Sequence, residues 1–463
     1  MKNKLHKTQL HKAILNTTTK NKESIFQMFN TNLTSTQMKK FIPVEYTDFA
    51  SIMEFEYNLR PYPTFSPNKD LPVHNWFNYT QGFSKKLIDF CLEFINKKPR
   101  FVFDPFSGVG TTSLSCLEHG IKSTGIDVSP LAVFVSNVKL NWPYDIISIK
   151  KDLAKIKIGK KKVKGDLINK TLFERSFSEK NLEKILQIRE SINGLENEQN
   201  RGLFLLALIS IMEKSSNIRK HGAHYRFINN DNLGVKVKHD PTDVESAFKQ
   251  KIDSFLHDIS LLENLPNFKK AKQNHTYVDD ARTFTKIKNF DTVITSPPYL
   301  NRDNYIAQSK LELFLLNLLD SFDDYRKLTK KTLRSHVEAD VKFNSNFYPD
   351  YLSFLHDRVK EMKPSYPTIP DMVVGYFQDL HMVLNQIKKN MANNTKLFFV
   401  LGNVRYAGIV IPVDTIFAHM AEDLGFNVEK ILITRFKGNS PQQMAKYGKI
   451  PLRESIVILN GSK

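Results

Sequence analysis

Cysteine is scarce in this chain: there are two, Cys91 and Cys116, in 463 residues. Neither belongs to a CxxC pair or stands at Cys/His ligand spacing, which excludes a disulfide framework and a structural zinc site. Long apolar runs are missing too, none approaching the roughly 18 residues a membrane helix needs. The opening Met1-Lys2-Asn3-Lys4-Leu5-His6-Lys7 has no apolar h-region behind it. A cytoplasmic location without a membrane partner is the expectation.

What is present is an ordinary globular composition, 41% hydrophobic and 25% charged, sufficient for one large core or two smaller ones. Lys and Arg number 67 against 48 Asp and Glu, a formal charge of +19. That excess favours a polyanionic partner. Lys-rich composition also arises from AT-rich genomes, and the abundant Asn, Ile and Phe fit that plainer explanation.

Residues 1–70 read as a basic N-terminal region, ending near the Pro- and aromatic-rich Arg60-Pro61-Tyr62-Pro63-Thr64-Phe65. Regular α/β alternation comes next. Helical spacing of Leu87, Ile88, Cys91, Leu92 and Ile95 precedes a short strand at Arg100 to Asp104. A second helix runs from Thr111 to His119 with Gly120 as its stop, and a second strand covers Lys122 to Asp127. Residues 131–274 are chiefly helical in period, too long for a loop. Strand character returns at Thr276 to Asp280 and Asp291 to Thr295, gives way to helical period over 307–375, and returns at Lys396 to Leu401, Val428 to Thr434 and Ser455 to Leu459.

Between the first strand and its helix lies Asp104-Pro105-Phe106-Ser107-Gly108-Val109-Gly110-Thr111-Thr112. A glycine-rich turn there lets backbone approach a ligand and exposes helix N-terminal N–H groups. Asp104 ends its strand, where it can bind a cationic amino-acid group; Asp127 ends the next, where an acid can accept from both hydroxyls of a ribose. A P-loop would end in Gly-Lys-Ser/Thr where Gly110-Thr111-Thr112 stands, and a dinucleotide fingerprint would carry Gly where Ser113 stands, so ATP and NAD are disfavoured.

The second constellation is Thr295-Ser296-Pro297-Pro298-Tyr299, directly after an apolar strand. Taken alone it could be a proline turn or a ligand for a polyproline-binding module. After a strand of a doubly wound sheet it stands where such sheets place chemistry. Ser296 offers a hydroxyl acceptor, Pro297 a carbonyl, the prolines a stiff turn, and Tyr299 a ring on which an extruded base can stack.

Together these two segments resemble the DNA amino-methyltransferases of the SPPY type, found as modification methylases of restriction-modification systems. The resemblance implies an α/β, Rossmann-like class I methyltransferase sheet, mostly parallel with about seven strands, carrying largely helical insertions. It also implies S-adenosyl-L-methionine as cofactor, with Asp104, Pro105, Phe106, Gly108, Gly110, Thr111 and Thr112 at its methionine end and Asp127 at its ribose. His74 to Ser84, including Tyr79 and Phe83, looks like the segment that closes over the methionine moiety, the alternative being an aromatic-packed loop. Asp280 looks like the acid that accepts from the adenine amino group, the alternative being an ordinary turn residue.

Ser296, Pro297, Pro298 and Tyr299 would be the catalytic loop, accepting the hydrogens of an exocyclic amino group, with no metal required. Methylation at cytosine carbon 5 needs a thiolate in a Pro-Cys turn, and Phe90-Cys91 and Ser115-Cys116 lack the proline. In the family, Ser at the first loop position accompanies cytosine N4, and Asp or Asn adenine N6, so N4 of cytosine is expected and adenine N6 is the alternative. An RNA guanine-N2 methyltransferase and a catalytically silent DNA-binding relative are further readings.

The implied organisation is a core at 71–130, 275–306 and 376–463, with helical insertions at 131–274 and 307–375. The motif order, cofactor turn before catalytic loop, is the reverse of many SPPY enzymes. The C-terminal part also resembles the family at Tyr376 to Leu380, Leu401 to Arg405, Ile411 to Asp414 and Arg453 to Ile456. Asn403 and Arg405 are expected to face cofactor or DNA, and Glu454 to form a structural ion pair with Arg453 or a neighbour. Double-stranded DNA is the expected partner, with a cognate restriction endonuclease implied. Lys160, Lys161, Lys162, Lys164, Arg219, Lys220 and Arg226 are candidate DNA contacts, each otherwise a solvated charge.

Overall fold

The structure, a computed structural model, describes residues 49–159, 167–221, 224–227, 241–269, 273–301, 303–340, 347–406, 408–438, 444–445 and 452–462. Lys160, Lys161, Lys162 and Lys164 lie outside them. Among the described residues the strands are β1 (Met53–Phe55), β2 (Phe101–Asp104), β3 (Lys122–Asp127), β4 (Ile218–His221), β5 (His224–Phe227), β6 (Asn274–Val278), β7 (Thr292–Thr295), β8 (Thr395–Gly402), β9 (Val404–Tyr406), β10 (Ile409–Ile411), β11 (Asn427–Lys437) and β12 (Leu452–Gly461). The chain divides into two compact units, one of 64–280 and 303–332, the other of 1–63, 281–302 and 333–463.

In the first unit β3 pairs in parallel with β2 on one side and β6 on the other. The helix Thr111–Glu118 follows β2 and stops at Gly120, whose φ of 61° suits a residue without Cβ and whose N–H donates to the Leu117 carbonyl at 2.9 Å. The next helix, Pro130–Leu140, starts at Ser129, whose hydroxyl accepts from Ala132 N–H at 3.3 Å, with Pro130 at the first helical position. It holds β6 directly. Asn137 bonds both the carbonyl and the N–H of Thr276, at 2.8 and 2.9 Å, and the Ser136 and Thr276 hydroxyls meet at 2.7 Å.

Helices Glu179–Asn193, Glu198–Ile211 and Val244–Leu262 build an apolar cluster around Leu203, Phe204, Leu208, Ile252 and Phe255. Trp76 joins it, stacked 4.4 Å from Phe255 with its indole N–H on Asp258 at 2.9 Å. Helical period dominates this stretch as expected, but it also holds the antiparallel hairpin β4–β5. Two four-residue strands are too short to outweigh the flanking helical pattern.

The second unit orders its strands β1, β11, β12, β8, β7, with parallel pairing at β1–β11 and β7–β8 and antiparallel pairing on both sides of β12. The expected strands of this unit are all found: β8, β11 and β12 run past their expected ends, and β7 begins one residue later. The departure is β1: residues read as a basic N-terminal region supply a strand registered Met53 to Ile431, with Glu54 bridged to Lys430 at 2.9 Å. Three residues carry no legible alternation. Helices Ile369–Asn390 and Val413–Asp423 lie in the same unit. The architecture is α/β and Rossmann-like, mostly parallel, as expected.

Candidate active site

The glycine turn is built by its own acid. Asp104, 1% exposed, accepts from Phe106 N–H at 3.0 Å and from the Thr112 hydroxyl at 2.6 Å, tying the end of β2 to the first turn of the adjoining helix. Pro105 is buried and Phe106 half-buried, while Thr111 and Thr112 are buried at the helix start. Gly108 and Gly110 have φ of 49° and 83°. A Cβ on Gly110 would lie 2.2 Å from the Ser136 hydroxyl and one on Gly108 3.1 Å from the Tyr79 ring, so both positions demand glycine by conformation and by space.

Asp127 completes the turn from the next strand. Its carboxylate accepts from Gly108 N–H at 2.9 Å and Ser129 N–H at 2.8 Å. Burial pushes its pKa up to about 6 despite those two donors. Asp279 N–H donates to the Asp127 carbonyl at 3.1 Å, and Asp280 N–H to the Asp279 carboxylate at 2.8 Å. Asp104, Gly108, Asp127 and Asp280 thus gather at the carboxyl ends of parallel β2, β3 and β6.

Tyr79 lies against Gly108, its phenol pushed up by burial and by the charge of Asp127. Phe83 is different. Its side chain is 6% exposed and its carbonyl accepts from Asn68 at 3.0 Å, so it anchors the segment in the interior while Tyr79 meets the turn.

The Ser296 to Tyr299 loop belongs to the other unit, leaving β7 beside β8. Ser296 donates its hydroxyl hydrogen to the Val400 carbonyl at 3.3 Å, which leaves its oxygen lone pairs as acceptors. Pro297 is buried, Pro298 and Tyr299 half-buried. Tyr406 donates its hydroxyl to the Leu300 carbonyl at 2.9 Å and steadies the loop's exit. A Cβ on Gly402 would come within 3.1 Å of the Tyr299 ring, so this glycine makes room for the ring against β8.

Two residues around this loop, Arg435 and Lys437, fall outside the sequence motifs. Lys437 stands over the Tyr299 ring, 4.7 Å from its centroid, and Glu454, 1% exposed, holds both Lys437 at 3.7 Å and Arg435. The spacing of Arg435 and Lys437 on β11 is the signal that could have found them, since residues two apart on a strand share a face. The same rule separates Arg453 from Glu454. Of the two partners expected for Glu454 the structure selects the neighbouring strand, while Arg453 forms a bidentate pair with buried Asp414 at 2.7 and 2.9 Å.

Asn403 and Arg405 are buried, 3% and 5% exposed. Asn403 accepts from Asp414 N–H at 3.2 Å and Arg405 donates to the Gly408 carbonyl at 3.1 Å, both structural tasks. The Tyr376 to Leu380 run is likewise structural in part. Asp379 takes Arg334 at 2.7 Å and Arg282 at 3.3 Å.

Parallel strands, a glycine turn at their carboxyl ends and an acid ending the next strand are the features with which Rossmann-like folds bind nucleotide-type cofactors. A family model described as DNA methylase matches residues 1–136. The type II methyltransferase M.BsoBI of Geobacillus stearothermophilus is 30% identical over 449 residues, covering 85% of this chain and 87% of that protein. M.AvaI of a Nostoc species is 29% identical over 439 residues, covering 85% and 88%. M.MvaI of Kocuria varians is 22% identical, covering 69% and 73%. The chain therefore belongs to the DNA methylase family, among the type II DNA methyltransferases.

Proposed function

We propose that this protein transfers a methyl group from S-adenosyl-L-methionine to the N4 amino group of cytosine in double-stranded DNA. The observation that carries the reading is the Ser296 hydroxyl, whose hydrogen is committed to the Val400 carbonyl. An exocyclic amino nitrogen is a poor nucleophile while its lone pair is delocalised into the ring. Ser296 Oγ and the Pro297 carbonyl accept its two hydrogens and let it pyramidalise, and Tyr299 stacks on the extruded base. Both cysteines are buried with thiols pushed up by burial, which argues against a carbon-5 nucleophile.

The residues fit the cofactor. Asp127 offers a carboxylate for the ribose hydroxyls, Asp280 an acceptor for the adenine amino group, and Tyr79 lies against the turn at Gly108. A sulfonium supplies the leaving group, so in-line transfer needs no metal. Among the described residues no cluster of His, Cys, Asp and Glu is suited to hold one. As the modification enzyme of a restriction-modification system the protein would act on chromosomal DNA in the cytoplasm and protect it from a cognate endonuclease.

Methylation of plasmid DNA followed by nucleoside mass spectrometry tests the base. N4-methylcytosine is the expected product, and N6-methyladenine as the sole product rejects the assignment.

A further inference from the structure

Val73 is a β-branched residue in a conformation that β-branched residues avoid. Its φ is 63° and its ψ −41°, its side chain is fully buried, and His74 N–H donates to the Pro72 carbonyl at 2.6 Å. This is a γ-turn of the rare, strained kind. Such a conformation persists only where the surrounding contacts over-determine it. Here those contacts are polar, and they come from distant parts of one compact unit.

The helix Val244–Leu262 supplies three of its residues from one face, Lys251, Phe255 and Asp258, at i, i+4 and i+7. Asp258, 5% exposed, accepts from Val73 N–H and from the Trp76 indole N–H, both at 2.9 Å. Lys251 donates to the Asn75 carbonyl at 3.1 Å, and Phe255 stacks on Trp76 at 4.4 Å. From helix Pro130–Leu140 the buried Lys139 donates to the His74 carbonyl at 3.3 Å, and from helix Glu198–Ile211 Ser210 donates to the Trp76 carbonyl at 2.7 Å. Burial pushes the pKa of Lys139 down to about 7 and that of Lys251 down to about 8, so the fold holds both lysines against their preference for water.

A core that only had to seat Trp76 would need neither a strained backbone nor two lysines drawn inside. The cluster's neighbours supply the reason for both. The chain leaves the turn three residues before Tyr79, whose ring lies against Gly108. Lys139 stands one helical turn beyond Ser136, whose hydroxyl lies where a Cβ on Gly110 would fall. One helix therefore braces the strained turn and shapes the glycine turn.

We propose that Lys139, Lys251 and Asp258 are positioning residues for S-adenosyl-L-methionine: they hold Val73 to Trp76 in the strained turn, which presents the Tyr79 ring to the Gly108 backbone at the cofactor's methionine end. The helix Val244–Leu262, from the stretch read as an insertion, thus serves the cofactor site through Tyr79. This inference rests on the cofactor reading of the Asp104 to Thr112 turn, not on which base is methylated.

The test is a double-mutant cycle on the full chain. Asp258→Asn and Lys251→Met are each made in the wild-type and the Tyr79→Ala backgrounds, S-adenosyl-L-methionine affinity is measured by titration calorimetry, and melting temperature is recorded without ligand. Asp258→Asn keeps the side-chain shape and Lys251→Met the stem beside Phe255; the half-buried Lys251 position carries the test if Asp258→Asn fails to fold. Expected is cofactor binding weakened about tenfold by either change, the effect of losing one hydrogen bond to a charged group, and by less than about twofold when Tyr79 is already alanine. An equal loss in both backgrounds overturns the proposal, because the residues then act by another route. A lowered melting temperature with unchanged affinity also overturns it and leaves the cluster a purely structural task. So does a Tyr79→Ala protein that binds as tightly as wild type. Wild type that binds no S-adenosyl-L-methionine would instead count against the cofactor reading itself, and the positioning proposal would fall with it.

Discussion

Lys437 is fixed over the ring of Tyr299, 4.7 Å from its centroid, by a glutamate buried one strand away. A cation on an aromatic face contributes about 0.5–2 kcal/mol, depending on desolvation. Replacing Lys437 with Met keeps the stem and removes the charge, so the ring loses a restraint just where a base must stack. The expected outcome is a several-fold fall in kcat with cofactor affinity unchanged, read by steady-state kinetics and calorimetry. Unchanged kcat would show that Lys437 does not position the ring.

Ser296→Ala removes the hydroxyl acceptor together with its bond to the Val400 carbonyl, and leaves the β7–β8 ladder, which ends at Thr295, in place. Turnover should drop by at least about 100-fold, with melting temperature and cofactor affinity retained. Activity within a few-fold of wild type would exclude Ser296 as an acceptor for the amino hydrogens.

Asp127 sets a pH dependence. Burial raises its carboxyl from the ordinary 3.8 to about 6, so the folded protein binds this proton more tightly than the unfolded chain does. Its contribution to stability therefore falls as pH rises from about 4 to about 6 and is level above that. Cofactor binding runs the other way, because only the carboxylate accepts both ribose hydroxyls. Affinity should weaken as pH drops through about 6, and Asp127→Asn should be weaker at every pH and lose that inflection. An inflection that persists in the Asn variant would assign the titration elsewhere.

Gly110→Ala places a methyl group 2.2 Å from the Ser136 hydroxyl on a backbone with φ of 83°. Overpacking and the left-handed conformation together should cost about 2–4 kcal/mol, seen as a lower denaturation midpoint, with cofactor binding lost. Gly194→Ala, at φ −77° with no neighbour nearer than 3.6 Å, is the control and should be near neutral.

Asp104 to Thr112, Asp127, and Ser296 to Tyr299 were legible from the amino-acid sequence because each lies at the carboxyl end of a strand, where the chain turns. The turn chemistry, glycines and flanking apolar residues are all written within about ten residues of chain. The same locality made the β2, helix, β3 unit readable nearly to the residue. Tertiary structure decided what depends on pairing between distant segments. It placed Met53 to Phe55 on β11, buried Asn403 and Arg405, turned Arg453 to Asp414 and Glu454 to Arg435 and Lys437, and set Arg219 opposite Arg226. Strand register and the face a side chain takes are settled by which apolar surfaces are buried together, and that information is spread over the whole chain.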